Sequence, residues 1–228
     1  MGRCNESFAT AVVKLNRQNA RPAHQGMREK ICCDLAQRLE LPTPGALLFT
    51  DRNGTFGVAV RRVEAVSFIL WKKACELKSI PGPVVKARKN YPLAMIAFDF
   101  YVGNSDRSLN NGNILVSGLP TDPEIIPIDF GNTLGTQPMP WASGRYDENR
   151  VPGNCRPLPE WLLLGPQAKV RAASASGQIE NLPDDVIASV VKRAATFCGV
   201  SGSAFESEVL NRLLSRRAVV RKWITANL

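Results

Sequence analysis

Between residues 93 and 131 this chain alternates apolar and polar stretches in an order that few folds accommodate. Leu93, Ile96, Ala97, Phe100 and Tyr101 recur on one helical face, with Pro92 suited to the first turn and Gly103-Asn104 ending the helix. A polar loop follows, carrying Asp106 and, five residues on, Asn111. The apolar runs Ile114–Val116 and Ile125–Ile128 then predict two short strands joined by a turn region with Gly118, Pro120 and Asp122. The second run closes on Asp129-Phe130-Gly131. A tight pair of such strands sets the loop bearing Asn111 beside the one bearing Asp129. An Asn carbonyl and an Asp carboxylate are hard oxygen donors of the kind Mg²⁺ takes when phosphates complete its shell. Asp106, set apart from them, is suited to position a hydroxyl nucleophile or accept its proton. Phosphoryl transfer requires this division of labour.

The preceding residues read strand, helix, strand, strand. Phe8–Leu15 (FATAVVKL) predicts a strand with Lys14 near its end. After a polar stretch from Asn16 to Gly26, Met27, Ile31, Leu35 and Leu39 mark an amphipathic helix stopped by Pro42 and Pro44. Ala46–Phe49 and Phe56–Val63 predict strands around Asp51-Arg52-Asn53-Gly54, where the Asn-Gly pair is a strong hairpin signal. From residue 66 the pattern turns helical, with a stripe of Val66, Ile69, Leu70, Ala74 and Leu77 broken by Pro81-Gly82-Pro83. The stretch from Gly135 to Pro159 predicts irregular structure. Two helices near 184–198 and 203–226 close the chain, the second turning Leu210, Leu213, Leu214, Val220 and Trp223 inward. The expected fold class is α+β, with a small mixed lobe over residues 1–65 and a larger, mainly helical lobe over 66–228.

Composition narrows the function classes. Apolar residues make up 44% and charged residues 21% of the 228, ordinary globular usage that argues against wholesale disorder. No apolar run reaches the roughly 18 residues a membrane-spanning helix needs. The opening MGRCNESF lacks a secretory apolar stretch, and Glu6 occupies the position that N-myristoylation reserves for Ser or Thr. The expected setting is therefore cytoplasmic. The six cysteines, Cys32 and Cys33 adjacent among them, show no CxxC spacing, and the chain holds one histidine, His24. Structural zinc and disulfide frameworks are disfavoured, and reduced, mostly buried thiols are expected. With His24 alone in a polar loop, hydrolase triads are disfavoured too. The net charge of +9 is spread along the chain without aromatic interleaving or a zinc-finger or helix-turn-helix pattern, so direct nucleic-acid binding is not favoured.

Taken together, Asn104-Ser105-Asp106-Arg107 with Asn111, and Ile128-Asp129-Phe130-Gly131, resemble a protein-kinase-like fold, and within it the HipA-like serine/threonine kinases. Upstream, AVVKL resembles that family's strand lysine, and REKICCDLAQRLELPTP resembles its helix with a Glu followed by an "LA..LGLP.P" pattern. The resemblance runs in order over residues 11–135. It implies that Lys14 contacts ATP phosphates, that Glu29 pairs with Lys14, that Asp106 is the catalytic carboxylate, and that Asn111 and Asp129 hold Mg²⁺. It further implies Phe130 packing behind Asp129, Arg107 bracing the catalytic loop or contacting a phosphate, with bracing favoured, and Asn104 hydrogen-bonding across the loop.

Each of these residues also has an ordinary explanation. A strand-end lysine is usually solvated, Asn and Asp favour turns, and Asp-Phe-Gly alone recurs by chance. Glu29 on a helix is usually a surface charge, yet its neighbours at i+3, i+4 and i+7 are Cys32, Cys33 and Ala36, a small apolar side with room for an inward ion pair. The chain also departs from the family pattern. Ser108 stands where the catalytic loop usually has His, and Asn110, Asn111 and Asn113 crowd the metal-ligand position, with spacing favouring Asn111. Only 13 residues precede Lys14, with Gly2 their one glycine, so a glycine-rich phosphate hairpin hardly fits there.

The expected function is an ATP- and Mg²⁺-dependent phosphotransferase acting on a Ser or Thr hydroxyl, with a protein as substrate. From the resemblance alone comes a toxin role with a neutralising, antitoxin-type partner protein. A nucleotide-binding pseudokinase that serves as an interaction module, a small-molecule kinase of the same fold, and a basic nucleic-acid-binding protein are the alternatives.

Overall fold

The computed structural model describes residues 11–15, 24–61, 93–104, 113–119, 122–131, 133–134 and 167–222. In chain order these form β1 (Ala11–Leu15), α1 (Gln25–Arg38), β2 (Ala46–Thr50), β3 (Phe56–Arg61), α2 (Leu93–Val102), β4 (Ile114–Leu119), β5 (Asp122–Pro127), α3 (Gln167–Glu180), α4 (Asp184–Phe197) and α5 (Ala204–Arg217). The expected helical stripe over 66–77 and the irregular stretch 135–159 lie outside the described residues.

The first sheet is antiparallel in the order β1-β3-β2, with Lys14 opposite Val58 and Leu48 opposite Val58 on the other side. The β2–β3 hairpin turns through residues 51–55. Asp51 Oδ1 accepts from the backbone N–H groups of Asn53 (2.9 Å) and Thr55 (2.7 Å), and Gly54 takes φ +77°, the left-handed conformation for which the Asn-Gly pair is suited. β4 and β5 form a separate antiparallel pair, with Ile114 opposite Pro127 and Leu119 opposite Asp122. Both strands run longer than their apolar runs indicate, because the ladder continues through Ser117, Gly118, Pro123 and Glu124.

α1 packs between the first sheet and α4. It contacts β1, β2, β3 and α4, and Met27, Ile31, Cys32, Cys33, Leu35 and Ala36 are wholly buried. The apolar stripe Met27-Ile31-Leu35 accounts for one face only. Arg28, Glu29 and Lys30 are buried as well, so this helix is enclosed on nearly all sides. It stops before the prolines. Glu40 takes φ +56° and the N–H of Leu41 returns to Ala36 O at 2.9 Å, satisfying a terminal carbonyl.

α2 carries Met95, Ala97, Phe98, Phe100 and Tyr101 into the core. Against it lies α3, a helix not expected from the sequence, whose composition QAKVRAASASGQIE offers no apolar stripe. Its small residues explain the packing: Ser176 is fully buried and satisfies its hydroxyl by donating to Ala173 O at 2.7 Å, while Ile179 supplies the apolar contact. α4 follows as expected, whereas α5 ends at Arg217, short of the expected 203–226, because the chain turns at residues 218–219. Asp184 and Asp185 occupy the first turn of α4, and Ser203 caps α5 by accepting from the N–H of Glu206 at 3.2 Å. Val209, Leu213 and Val220 are buried, while Trp223 lies outside the described residues. Cys32, Cys33 and Cys198 are buried free thiols. No helix among the described residues is long and apolar enough to cross a membrane.

Candidate active site

Lys14 leaves β1 on the face that α1 covers, and its ammonium group meets two carboxylates. Nζ lies 2.8 Å from Glu29 Oε2 and 2.5 Å from Asp129 Oδ1. Glu29 is 1% exposed, and the small side of α1 makes this possible: Cys33 Sγ, one turn on, approaches Glu29 Oε1 at 4.0 Å without filling the space. Burial draws the Lys14 amine down, but the charges of Glu29 and Asp129 outweigh it and hold the group above its ordinary value, so Lys14 stays cationic. Burial pushes the Glu29 carboxyl up, and Lys14 pulls it back.

Asp129 follows β5 in a left-handed conformation, φ +59°, which Asp tolerates better than most residues. Its Oδ1 also accepts from the N–H of Gly131 at 3.4 Å. Phe130 is fully buried behind it, edge-on to Phe98 of α2 at 5.7 Å and 87°. Thr133 Oγ1 donates to Phe130 O at 2.6 Å and contacts Cys32 Sγ at 3.2 Å, which ties the segment to α1.

Of the residues singled out in the sequence, the fold brings Lys14, Glu29 and Asp129 together. Asp106, Arg107 and Asn111 lie outside the described residues, but both ends of their loop are described. At its start, Asn104 is buried, and its Nδ2 donates to Asp99 Oδ1 at 3.0 Å while its N–H returns to Asp99 O at 2.8 Å. Asn104 therefore bonds back onto α2. At the far end, Asn113 O accepts from the N–H of Ile128 at 2.9 Å, so the loop finishes beside the residue that precedes Asp129.

Sequence reasoning passed over Arg28, Gln25, Arg212 and Arg216. Arg28 Nη1 donates to Thr133 O (2.6 Å) and Leu134 O (2.8 Å), with its guanidinium 4.7 Å from the centre of the Phe205 ring. Burial lowers its pKa to about 10, still cationic at neutral pH. Arg212 Nη1 adds a bond to Leu134 O at 3.3 Å, and the Arg216 guanidinium lies against Gly103. The available signal was the unbroken charged run Arg28-Glu29-Lys30 between the apolar positions Met27 and Ile31.

The donor set suits a nucleotide-bound magnesium ion in part. Asp129 offers a hard carboxylate, 39% exposed, beside a fixed ammonium, and such sites typically use one or two carboxylates with phosphates and water completing the shell. Among the described residues no group of three or more His, Cys, Asp or Glu side chains gathers to hold a metal.

No family model matches this sequence, and neither does any curated protein. Solved structures do. The fold is similar to that in the crystal structure of the Helicobacter pylori proinflammatory kinase CtkA, with a TM-score of 0.62 and 17% identity over 94% of this chain and 87% of that one. The chain has a kinase-like α+β fold.

Proposed function

We propose that this protein is an ATP- and Mg²⁺-dependent phosphotransferase, a HipA-like kinase acting on Ser or Thr hydroxyls of a protein. Its lobes divide at residues 1–65 and 66–228, with the nucleotide between them. The observation that carries this reading is Lys14 held between Glu29 and Asp129. Within a kinase-like fold, a strand lysine paired to a helix glutamate beside an Asp-Phe-Gly aspartate is the arrangement that phosphate binding requires.

ATP would supply the γ-phosphoryl group, and Mg²⁺ would screen its charge. Lys14 binds its phosphates, and Glu29 prevents that ammonium from swinging into solvent. Asp129 and Asn111 would hold the metal. Phe130, locked against Phe98, fixes the backbone from which Asp129 projects. Asp106 would orient the acceptor hydroxyl and take its proton as the oxygen bonds to the γ-phosphorus, whose bond to the bridging oxygen breaks to release ADP. An antitoxin-type partner is what the sequence resemblance implies, and a cytoplasmic setting accords with the buried free thiols of Cys32, Cys33 and Cys198.

The test is transfer of labelled γ-phosphate, with Mg²⁺, onto the protein itself and onto a cell extract, run beside Asp106→Asn and Asp129→Asn. Label with the wild type that vanishes in both variants supports the kinase. ATP binding without transfer would instead make the protein a pseudokinase. Absence of both sinks the assignment.

A further inference from the structure

The described part of the loop after β5, residues 129–131 and 133–134, begins and ends on a non-glycine residue in the left-handed region: Asp129 at φ +59° and Leu134 at φ +56°. A leucine in that conformation is uncommon and persists only where its surroundings hold it. Two consecutive residues of α1 hold the two ends. Glu29 acts on Asp129 through Lys14. Arg28 acts on Leu134 directly, through the carbonyl that Arg212 also reaches, while the N–H of Leu134 is fixed on Val102 O at 2.8 Å.

We propose that Arg28 is a positioning residue for Asp129. By gripping the Thr133 and Leu134 carbonyls it sets the path of the loop, and with that path the direction in which Asp129 presents its carboxylate to Lys14 and to a nucleotide-bound metal. The metal's part rests on the kinase reading above, whereas the grip on the loop does not. Because Arg28 and Glu29 are neighbours on one rigid helix, any rotation of α1 breaks both attachments together.

Arg28 is buried, so Arg28→Met tests fold as well as position. Arg28→Gln, which keeps one donor, provides a milder variant, and Val191→Ala, a buried truncation in α4, controls for general loosening of the packing around α1. The first readout needs no nucleotide. Limited acylation with an N-hydroxysuccinimide ester is followed by mass spectrometry, and labelling of Lys14 is taken relative to the exposed Lys192. Release of Asp129 uncovers the Lys14 amine, so the ratio should rise at least threefold in Arg28→Met, less in Arg28→Gln, and stay at the wild-type value in Val191→Ala. The second readout is the Mg²⁺ concentration that half-saturates binding of a fluorescent ADP analogue, expected to rise severalfold in the Arg28 variants and not in Val191→Ala. An unchanged Lys14 ratio in both Arg28 variants, or an equal rise in Val191→Ala, overturns the proposal. A wild type that binds no nucleotide would overturn the kinase reading, and the acylation ratio would still decide the role of Arg28.

Discussion

Lys14 and Asp129 are separated by 115 positions in the chain and by 2.5 Å in space, a contact that joins the first sheet to the loop after β5. Glu29 completes it from α1, so three elements share one ammonium group. Removing that group leaves Glu29, 1% exposed, without its main counter-charge. Loss of one partner of a buried pair typically costs about 3–5 kcal/mol, and the part-exposed Asp129 recovers water, so about 3 kcal/mol is expected for Lys14→Met. Urea unfolding checks this figure. On the kinase reading the same variant also loses phosphate transfer by at least a hundredfold, which a Lys14→Arg variant should not restore, because a planar fork cannot take the place of a compact ammonium held at two points.

The same triad gives a pH dependence with a definite sign. Burial lowers the Lys14 value and the two carboxylates more than reverse it, so the folded value lies above the ordinary 10.5. The stability Lys14 contributes is therefore fully present below pH 10.5 and declines as pH rises through the higher folded value. The difference in unfolding free energy between wild type and Lys14→Met should be flat from about pH 7 to 9 and shrink above 10.5. Shrinkage beginning near neutrality would mean that the ion pair is not what holds the amine.

Where the chain obeys a simple period, its structure was legible. Met27, Ile31 and Leu35 gave α1, the Asn-Gly pair gave the hairpin, and Cys32, Cys33 and Ala36 around Glu29 gave the inward-facing carboxylate. α3 was not legible, because Ser176 is buried by being small and carries no hydrophobic signal, and Ile179 alone makes no apolar stripe. Arg28 was not legible for a related reason. Between Met27 and Glu29 it has the chemistry of a solvated face, and its role depends on carbonyls at Thr133 and Leu134, more than a hundred residues away. Carbonyl partners belong to the backbone, so no residue type announces them.

Two glycines in the left-handed region separate backbone strain from crowding. Gly54, φ +77°, faces open space, so Gly54→Ala should cost only the conformational penalty of about 1 kcal/mol. Gly103, φ +65°, ends α2 just before Asn104, and a Cβ there would collide with the Arg216 guanidinium. Gly103→Ala must therefore also displace a buried guanidinium, for a total of about 2–4 kcal/mol. Comparing the two denaturation midpoints tests this. On the kinase reading, Gly103→Ala alone should also slow transfer, since it shifts the root of the loop that bears Asp106.

Gly131 is constrained by a neighbour rather than by its own backbone. It is not among the residues with positive φ, yet a Cβ there would sit 2.5 Å from Gln25 Nε2 and 2.6 Å from Gln25 Cγ. Because the clash reaches Cγ, the whole Gln25 side chain has to swing away, at the first turn of the helix that also carries Arg28 and Glu29. Gly131→Ala should cost roughly 1–3 kcal/mol. Gln25→Ala deletes both clashing atoms, so in that background Gly131→Ala should be nearly neutral, with a coupling of about 1–2 kcal/mol in the double-mutant cycle. On the kinase reading, thermal stabilisation by ADP with Mg²⁺ should follow the same pattern, weakened in Gly131→Ala and restored in the double variant, because the displaced loop carries Asp129 two residues upstream. Additive stabilities would show that Gln25 does not confine the loop, and that glycine serves some other purpose at this position.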